Sequence, residues 1–277
     1  MYPLPEQAVP ALGHAARYAA WRATPLGAIP ALPGIDEPAA QTIASRATRD
    51  GGGWQTPDLA AELLACFGIP VLDGRIADSA PAAVAAADAL GYPAVLKAAD
   101  PELVHKSDIG GVALNLADAA AVAAAYRSVT DATGTRTVLV QRQVKAAVEL
   151  VAGVVHDPLF GSLVMLGLGG VNTDLFADRT LRLLPVTDSD AATMWSSLRT
   201  APLLTGYRGG PAVDTHAVEE LLLRLGRLAE TLPEVAELDL NPVLAGPDGV
   251  VAVDVKLRLA PVAAEPNPTV RELREPA

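Results

Sequence analysis

A single cysteine, Cys66, stands in the 277 residues. It rules out an intrachain disulfide and a zinc site built on several thiolates. It lies in LAAELLACFGIPV, an apolar helical run, where a small buried side chain explains it better than a nucleophile does. Aromatics make up 4% of the chain, so the 51% of hydrophobic residues are mostly Ala, Leu and Val, and several Ala-rich helices are expected. No uncharged run of 18 apolar residues occurs, which argues against a membrane span. The chain does not start with a basic stretch followed by an apolar one, so a cytoplasmic location is the expectation. Positive charge is also in deficit, with 21 basic residues against 32 acidic and a net charge of −11. Such a field repels nucleic acid, and no Lys/Arg block with interleaved aromatics opposes it. An acidic chain of this kind holds a polyphosphate only through a local patch of donors or a metal. G-x-S-x-G, G-x-x-x-x-G-K-[ST] and G-x-G-x-x-G followed by a helix are all missing.

Lysine is the scarcest of the strong cations, four residues against 17 arginines, and two of the four fall in LKAADPELVHKSDIGG, 96–111, together with one of the four histidines. The frame around that stretch is regular. Residues 1–55 read as a Pro- and Gly-interrupted arm or linker, in which AARYAAWRA makes a short helix. From Thr56 the pattern sharpens. Thr56 is an N-cap, Pro57 suits the first helical position, and Leu59, Leu63, Leu64 and Phe67 recur at helical spacing. A strand IPVLDG follows, then a helix from Ala82 to Leu90, strands PAVLKAA and GGVALNL, and an Ala-rich helix from Asp118 to about Val129. TVLVQRQV, AVELVAGVVHD, SLVMLGLGG and TLRLLPV are further strands. Thr187 and Asp190 form a capping-box pair, and Ala217 to Leu232 carries Val218, Leu221, Leu225, Leu228 and Leu232 on one stripe. VAELDLNPVLAGPDGVVAVDVKLRLAP reads as two strands around a Pro-Asp-Gly turn, and 260–277 as a loosely held polar tail. These elements predict an α/β or α+β chain of two lobes, with mixed sheets under covering helices.

Three constellations carry possible chemistry. In the closing hairpin Asp239 and Asn241 share one strand face, Asp254 and Lys256 share another, and pairing across the turn brings Asn241 near Asp254. A carboxylate and an amide oxygen suit Mg²⁺, which takes the rest of its shell from phosphate and water; strand termination and an Asp-Gly turn explain the same residues structurally. Gly167, Gly169 and Gly170 after an apolar strand can close backbone N–H groups on an anion, or simply mark a tight bend. Lys97 ends an apolar strand and can meet a phosphate, or can be an ordinary strand-end lysine. His105 is a candidate acid/base, metal ligand or nucleophile toward phosphorus, with a hydrogen-bonded structural role the alternative. His156 at a strand end, His216 at a helix start and His14 in the arm are poorer candidates.

The strings VHKSDIGG, VLVQRQVKAAVELVAGVVHDPLFGSLVMLGLGG, LLTGYRG and LDLNP…VDVK, spread over 56–259, resemble the ATP-grasp portion of NDP-forming acyl-CoA synthetases, the ADP-forming acetate–CoA ligase group. Succinyl-CoA synthetase beta subunits are more distant relatives. The resemblance implies an ATP-grasp fold in which two lobes clamp ATP or ADP with Mg²⁺. It implies that Lys97 contacts phosphate, that His105 carries a phosphoryl group, and that Gln141 lies at the adenine-side hinge. Glu149 matches the acidic residue of a V-E-L motif, Gly169 and Gly170 the glycine loop, and Asn241 and Asp254 the magnesium ligands. VKAAVEL lacks the Pro and Gly common before V-E-L, and Asp174 stands where Glu is usual. No CoA-binding segment and no segment with the family's principal phosphohistidine is found in the sequence. The resemblance therefore implies a CoA-binding, phosphohistidine-bearing partner in trans, through which CoA and a carboxylic acid are engaged. The class-distinct alternative is a non-catalytic ATP-sensing or scaffolding module of a larger complex.

Overall fold

A computed structural model describes residues 5–101, 103, 106, 109–145, 148–157, 159–170 and 178–261. The smaller lobe is a four-stranded sheet built from β2 (Gly74–Ala77), β3 (Ala94–Ala98), β4 (Val112–Leu116) and β5 (Val138–Arg142), in the order β2-β5-β3-β4. Two helices cover one face, α4 (Ala80–Leu90) and α5 (Ala119–Thr133). Their starts are fixed by side chains that satisfy free amides: Ser79 accepts from the Ala82 N–H and Asp118 from the Ala121 N–H. Gly134, with φ +74°, ends α5 in the left-handed conformation that a Cβ disfavours. Ala83, Ala86 and Ala87 of α4 and Val122, Ala125 and Val129 of α5 pack on Leu96, Ala98, Val138 and Val140 of the sheet.

The larger lobe is a seven-stranded sheet. β6 (Val148–Asp157), β7 (Gly161–Leu168), β8 (Arg179–Leu183), β9 (Val235–Gly246) and β11 (Val255–Leu259) lie in the order β11-β9-β6-β7-β8. The two-residue β1 (Gly53–Trp54) flanks β11, and β10 (Gly249–Ala252) also pairs with β9. Helices α3 (Pro57–Cys66), α6 (Asp188–Ser196) and α8 (Thr215–Thr231) cover its apolar face, with the short α7 (Ala201–Leu204) between the last two. Val148, Leu150, Ala152 and Val154 alternate into this core beside Val164, Leu166, Leu238, Leu240, Val243 and Leu257. They meet Val218, Leu221, Leu222, Leu225 and Leu228 of α8. Each such Leu or Val stabilises the fold by about 1.5–3 kcal/mol relative to an exposed one. The capping box expected at α6 is present, Thr187 and Asp190 each accepting from the other's backbone N–H. No helix among the described residues is long and apolar enough to cross a membrane.

The structure departs from the sequence reading in four places. Every pairing between the named strands is antiparallel, where mixed sheets are expected; the parallel exception is one isolated bridge, Val71 to Ala252. The strand expected over IPVLDG is split between the two lobes. Pro70 and Leu72 bond the backbone of Ala252 in the large lobe, and the chain then crosses to start β2 at Gly74. The closing hairpin has three strands rather than two. β9 pairs with β11 over 235–240 and with β10 over 243–246, because 253–254 break the return strand.

The arm is more ordered than Pro and Gly content suggests. Helix α1 (Pro5–Ala23) runs through Pro10, and α2 (Glu37–Arg49) was not anticipated at all. Asp36 caps α2 by accepting from the Ala39 N–H, and Ala40, Ile43, Ala44 and Ala47 bury against the large lobe. Arg224, only 8% exposed, donates to the Phe67 and Pro33 carbonyls, and Arg227 pairs with Glu37. Residues 33–37 are therefore strapped onto α8, and Ala28 is bonded to Asp188 at the start of α6.

Candidate functional site

Both sheets bury one face under helices, and the two lobes touch where Lys97 meets Val253. On β3, Leu96 and Ala98 enter the helix-side core, so alternation sends Lys97 the other way. The register Val95↔Gln141 and Lys97↔Leu139 puts Gln141 of β5 on that same face. On the large sheet, Asp239 and Lys256 are direct cross-strand partners on the face away from the helices.

Lys97 is 6% exposed, and its Nζ donates to the Val253 carbonyl across the lobes at 2.9 Å. Burial lowers its pKa to about 8; the nearby Asp254 carboxylate resists that shift and the Lys106 ammonium adds to it. Lys106 reaches the same corner. Its Nζ lies 2.8 Å from Asp254 Oδ1, with the two side chains 12% and 17% exposed. Lysine scarcity singles out Lys106 in the sequence, but nothing local predicts this partner. Two of the four lysines thus converge on residues 253–254.

Asn241 stands opposite Asp254, its N–H donating to the Asp254 carbonyl at 3.1 Å, while the Val253 N–H donates to the Pro242 carbonyl at 3.0 Å. The proximity inferred from hairpin pairing is therefore present. Between Leu240↔Ala152 and Val243↔Leu150, two residues of β9 face one of β6. This is a bulge, a device that re-aims side chains, and Asn241 sits in it, exposed. Burial raises the pKa of Asp239, with Lys256 opposing the shift and Asp254 and Glu237 reinforcing it.

Glu149 is the second residue of β6, next to the glycine turn that ends β7. The Gly169 N–H donates to the Glu149 carbonyl at 2.8 Å. A Cβ on Gly169 would come within 2.9 Å of the Leu150 carbonyl, and one on Gly170, whose φ is +82°, within 3.0 Å of Glu149 Oε2. Both positions are closed to larger side chains. Gln141, 2% exposed, donates from Nε2 to the Leu72 carbonyl at 3.1 Å and leaves Oε1 buried without a partner. His105, Asp108 and Asp174 lie outside the described residues. A cavity of about 470 Å³ between residues 29–38 and α8 is lined by none of the candidate residues.

The donor set at Asn241 and Asp254 fits a hard divalent cation, and an ammonium already stands against the Asp254 carboxylate as a stand-in cation. Among the described residues no group of three or more His, Cys, Asp or Glu could hold a metal. A cation here would take most of its shell from phosphate and water, which is how Mg²⁺ binds at nucleotide sites.

Sequence and structure comparisons place the chain among known folds and families. The ATP-grasp domain matches residues 46–259. The beta subunit of the ADP-forming acetate–CoA ligase I of Pyrococcus furiosus is 34% identical over 210 residues, covering 72% of this chain and 89% of that subunit. The ADP-forming acetate–CoA ligase I of Archaeoglobus fulgidus is 36% identical over 203 residues, 71% of this chain but 30% of that longer protein. A solved acetyl-coenzyme A synthetase 1 of Ca. Korarchaeum cryptofilum, in complex with coenzyme A and Ca-AMPCP, superposes with a TM-score of 0.75 at 37% identity, covering 79% of this chain and 99% of that one. The same enzyme with Mg-AMPPCP, its phosphohistidine segment pointing towards the nucleotide-binding site, gives a TM-score of 0.70 at 38% identity, with the same coverage. The fold is that of an ATP-grasp protein. More narrowly, the chain belongs to the ATP-grasp family of the ADP-forming acyl-CoA synthetases, as the counterpart of their beta subunits.

Proposed function

We propose that the chain is the nucleotide-binding half of an ADP-forming acyl-CoA synthetase, running Mg²⁺-dependent phosphoryl transfer between ATP or ADP and a histidine. The observation that carries this reading is the convergence of Lys97 and Lys106 on the Val253–Asp254 corner, directly opposite Asn241. In an acidic chain this is the local concentration of donors that a polyphosphate requires.

Asn241 and Asp254 would hold Mg²⁺, which when bound neutralises phosphate charge. Lys97 supplies a fixed ammonium to the nucleotide phosphates, and the Gly169–Gly170 turn, held beside Glu149 by the Gly169 N–H bond to the Glu149 carbonyl, keeps that wall of the site clear of side chains. Gln141 flanks the base side. His105, one residue before Lys106 in the chain, is the phosphoryl acceptor. A neutral ring nitrogen attacks the terminal phosphorus of ATP; the N–P bond forms as the P–O bond to ADP breaks, and the reverse makes ATP. We further read 56–259 as the ATP-grasp region, 1–55 as its connecting arm and 260–277 as a tail, with a CoA-binding partner supplying the acyl chemistry in trans and the cytoplasm as location.

Incubation with γ-labelled ATP and Mg²⁺ tests the histidine. The wild-type chain is expected to take up acid-labile label and His105→Ala none. Equal labelling of the two would overturn the role of His105. Mg-dependent nucleotide binding without labelling of either would favour an ATP-sensing module instead.

A further inference from the structure

We propose that Lys106 is a placeholder for the divalent cation: in the nucleotide-free chain its ammonium neutralises Asp254, and a metal binds there only by displacing it. The inference rests on Asn241 and Asp254 being the metal site, and adds to that reading a competitor built into the chain itself.

Three observations support it. Lys106 Nζ is 2.8 Å from Asp254 Oδ1, at the carboxylate a cation would coordinate, and the two residues are 148 apart in sequence. The pair is sheltered, at 12% and 17% side-chain exposure, so its attraction is screened less than that of a surface pair. Finally, the ammonium is presented from a fixed base. The Gly111 N–H donates to the Lys106 carbonyl at 2.7 Å, and the Gly111 carbonyl accepts from the Ala98 N–H at 2.8 Å, tying Lys106 to the end of β3. Gly111 is needed for that approach, since a Cβ there would come within 2.7 Å of the Lys106 carbonyl oxygen.

An ammonium held 2.8 Å from Asp254 Oδ1 and a divalent cation at that same oxygen would repel each other strongly in so sheltered a place. Metal entry is therefore an exchange of one cation for another, and apparent metal affinity is reduced by the strength of the Lys106–Asp254 pair. The placeholder keeps Asp254 neutralised when no nucleotide is present. It also ties metal loading to the residue covalently next to His105.

The test is Mn²⁺ binding to the full chain without nucleotide, followed by the electron paramagnetic resonance signal of free Mn²⁺. Lys106→Met is expected to bind Mn²⁺ about 2- to 5-fold more tightly than wild type, the factor expected for removing an ion-pair competitor. Lys106→Arg, which keeps the charge, is expected to stay closer to wild type than Lys106→Met does. Asp254→Asn is expected to lose the site. If Asp254→Asn loses binding but Lys106→Met binds no more tightly than wild type, the metal site stands and the placeholder is overturned. If Asp254→Asn binds Mn²⁺ as wild type does, the metal site itself fails, and the placeholder fails with it.

Discussion

Leu96 and Lys97 are neighbours on β3 and almost equally hidden, at 0% and 6% exposure, but they face different worlds. Leu96 points into an Ala- and Val-rich core under α4 and α5. Lys97 points at a single carbonyl of the other lobe, with a second lysine and an aspartate beside it. The large sheet repeats the contrast, with Leu238 and Leu240 toward α8 and Asp239 and Asn241 on the strand positions between and after them. In both sheets one face contributes stability and the other gives up some of it to hold charge. Buried charge is costly unless well paired, so the two faces respond to mutation in opposite ways.

The largest effect is expected on the helix-covered face. Leu225 of α8 is fully buried in the large core. Leu225→Ala is expected to cost about 2–5 kcal/mol in urea unfolding, through lost transfer energy plus the cavity left behind. Mg-nucleotide affinity of the folded fraction is expected to stay unchanged, since Leu225 does not face the opposite lobe. A loss of affinity as large as the loss of stability would mean that the two faces are not independent.

Lys97 is expected to show the reverse sign. Its folded pKa of about 8 lies below the 10.5 of a free lysine, so the unfolded chain binds the proton more tightly. Stability therefore rises with pH between about 8 and 10.5, and below about 8 the buried charge costs the fold its full penalty. At about 1.36 kcal/mol per pKa unit, this group alone spans about 3 kcal/mol. Lys97→Met is expected to be more stable than wild type at pH 7, by up to that amount, and to lack the rise above pH 8. Nucleotide affinity is expected to fall in the variant at pH 7, and in wild type as pH passes 8. Superimposable stability–pH curves for the two proteins would show that Lys97 carries no such strain.

Much of this contrast is legible from the sequence, for a physical reason. Burial on one face imposes a period, so the strands holding Leu96, Leu150 and Leu240 and the helix holding Leu225 announce themselves, and Lys97 and Asn241 stand out as polar interruptions. Hairpin register even puts Asn241 opposite Asp254, because that pairing is local in the chain. The contact of Lys106 with Asp254 is not local, and no period encodes it. Helix α2 is hidden by its own composition. Only Ile43 among its large side chains is apolar, the buried stripe is otherwise alanine, and Pro38 at the start reads as a breaker although it is tolerated in a first helical turn. Arg224 escapes for the opposite reason. A charged residue on a Leu-rich helix reads as solvent-facing, and only the carbonyls of Phe67 and Pro33, brought in by tertiary packing, make its burial tolerable.

The smallest effect on stability is expected at Asn241, which makes it the sharpest test of the contrast. Its side chain is exposed, and its structural bond to Asp254 runs through the backbone, which a substitution to alanine keeps. Asn241→Ala is therefore expected to change unfolding free energy by no more than about 0.5 kcal/mol, as for surface substitutions generally. If the amide oxygen is a metal ligand, the same variant should bind Mg-nucleotide severalfold more weakly, with the deficit shrinking when binding is measured without metal. Calorimetric titrations with and without Mg²⁺ separate the cases. A deficit that persists undiminished without the metal would assign Asn241 to the nucleotide itself, leaving Asp254 as the metal's protein ligand on this hairpin.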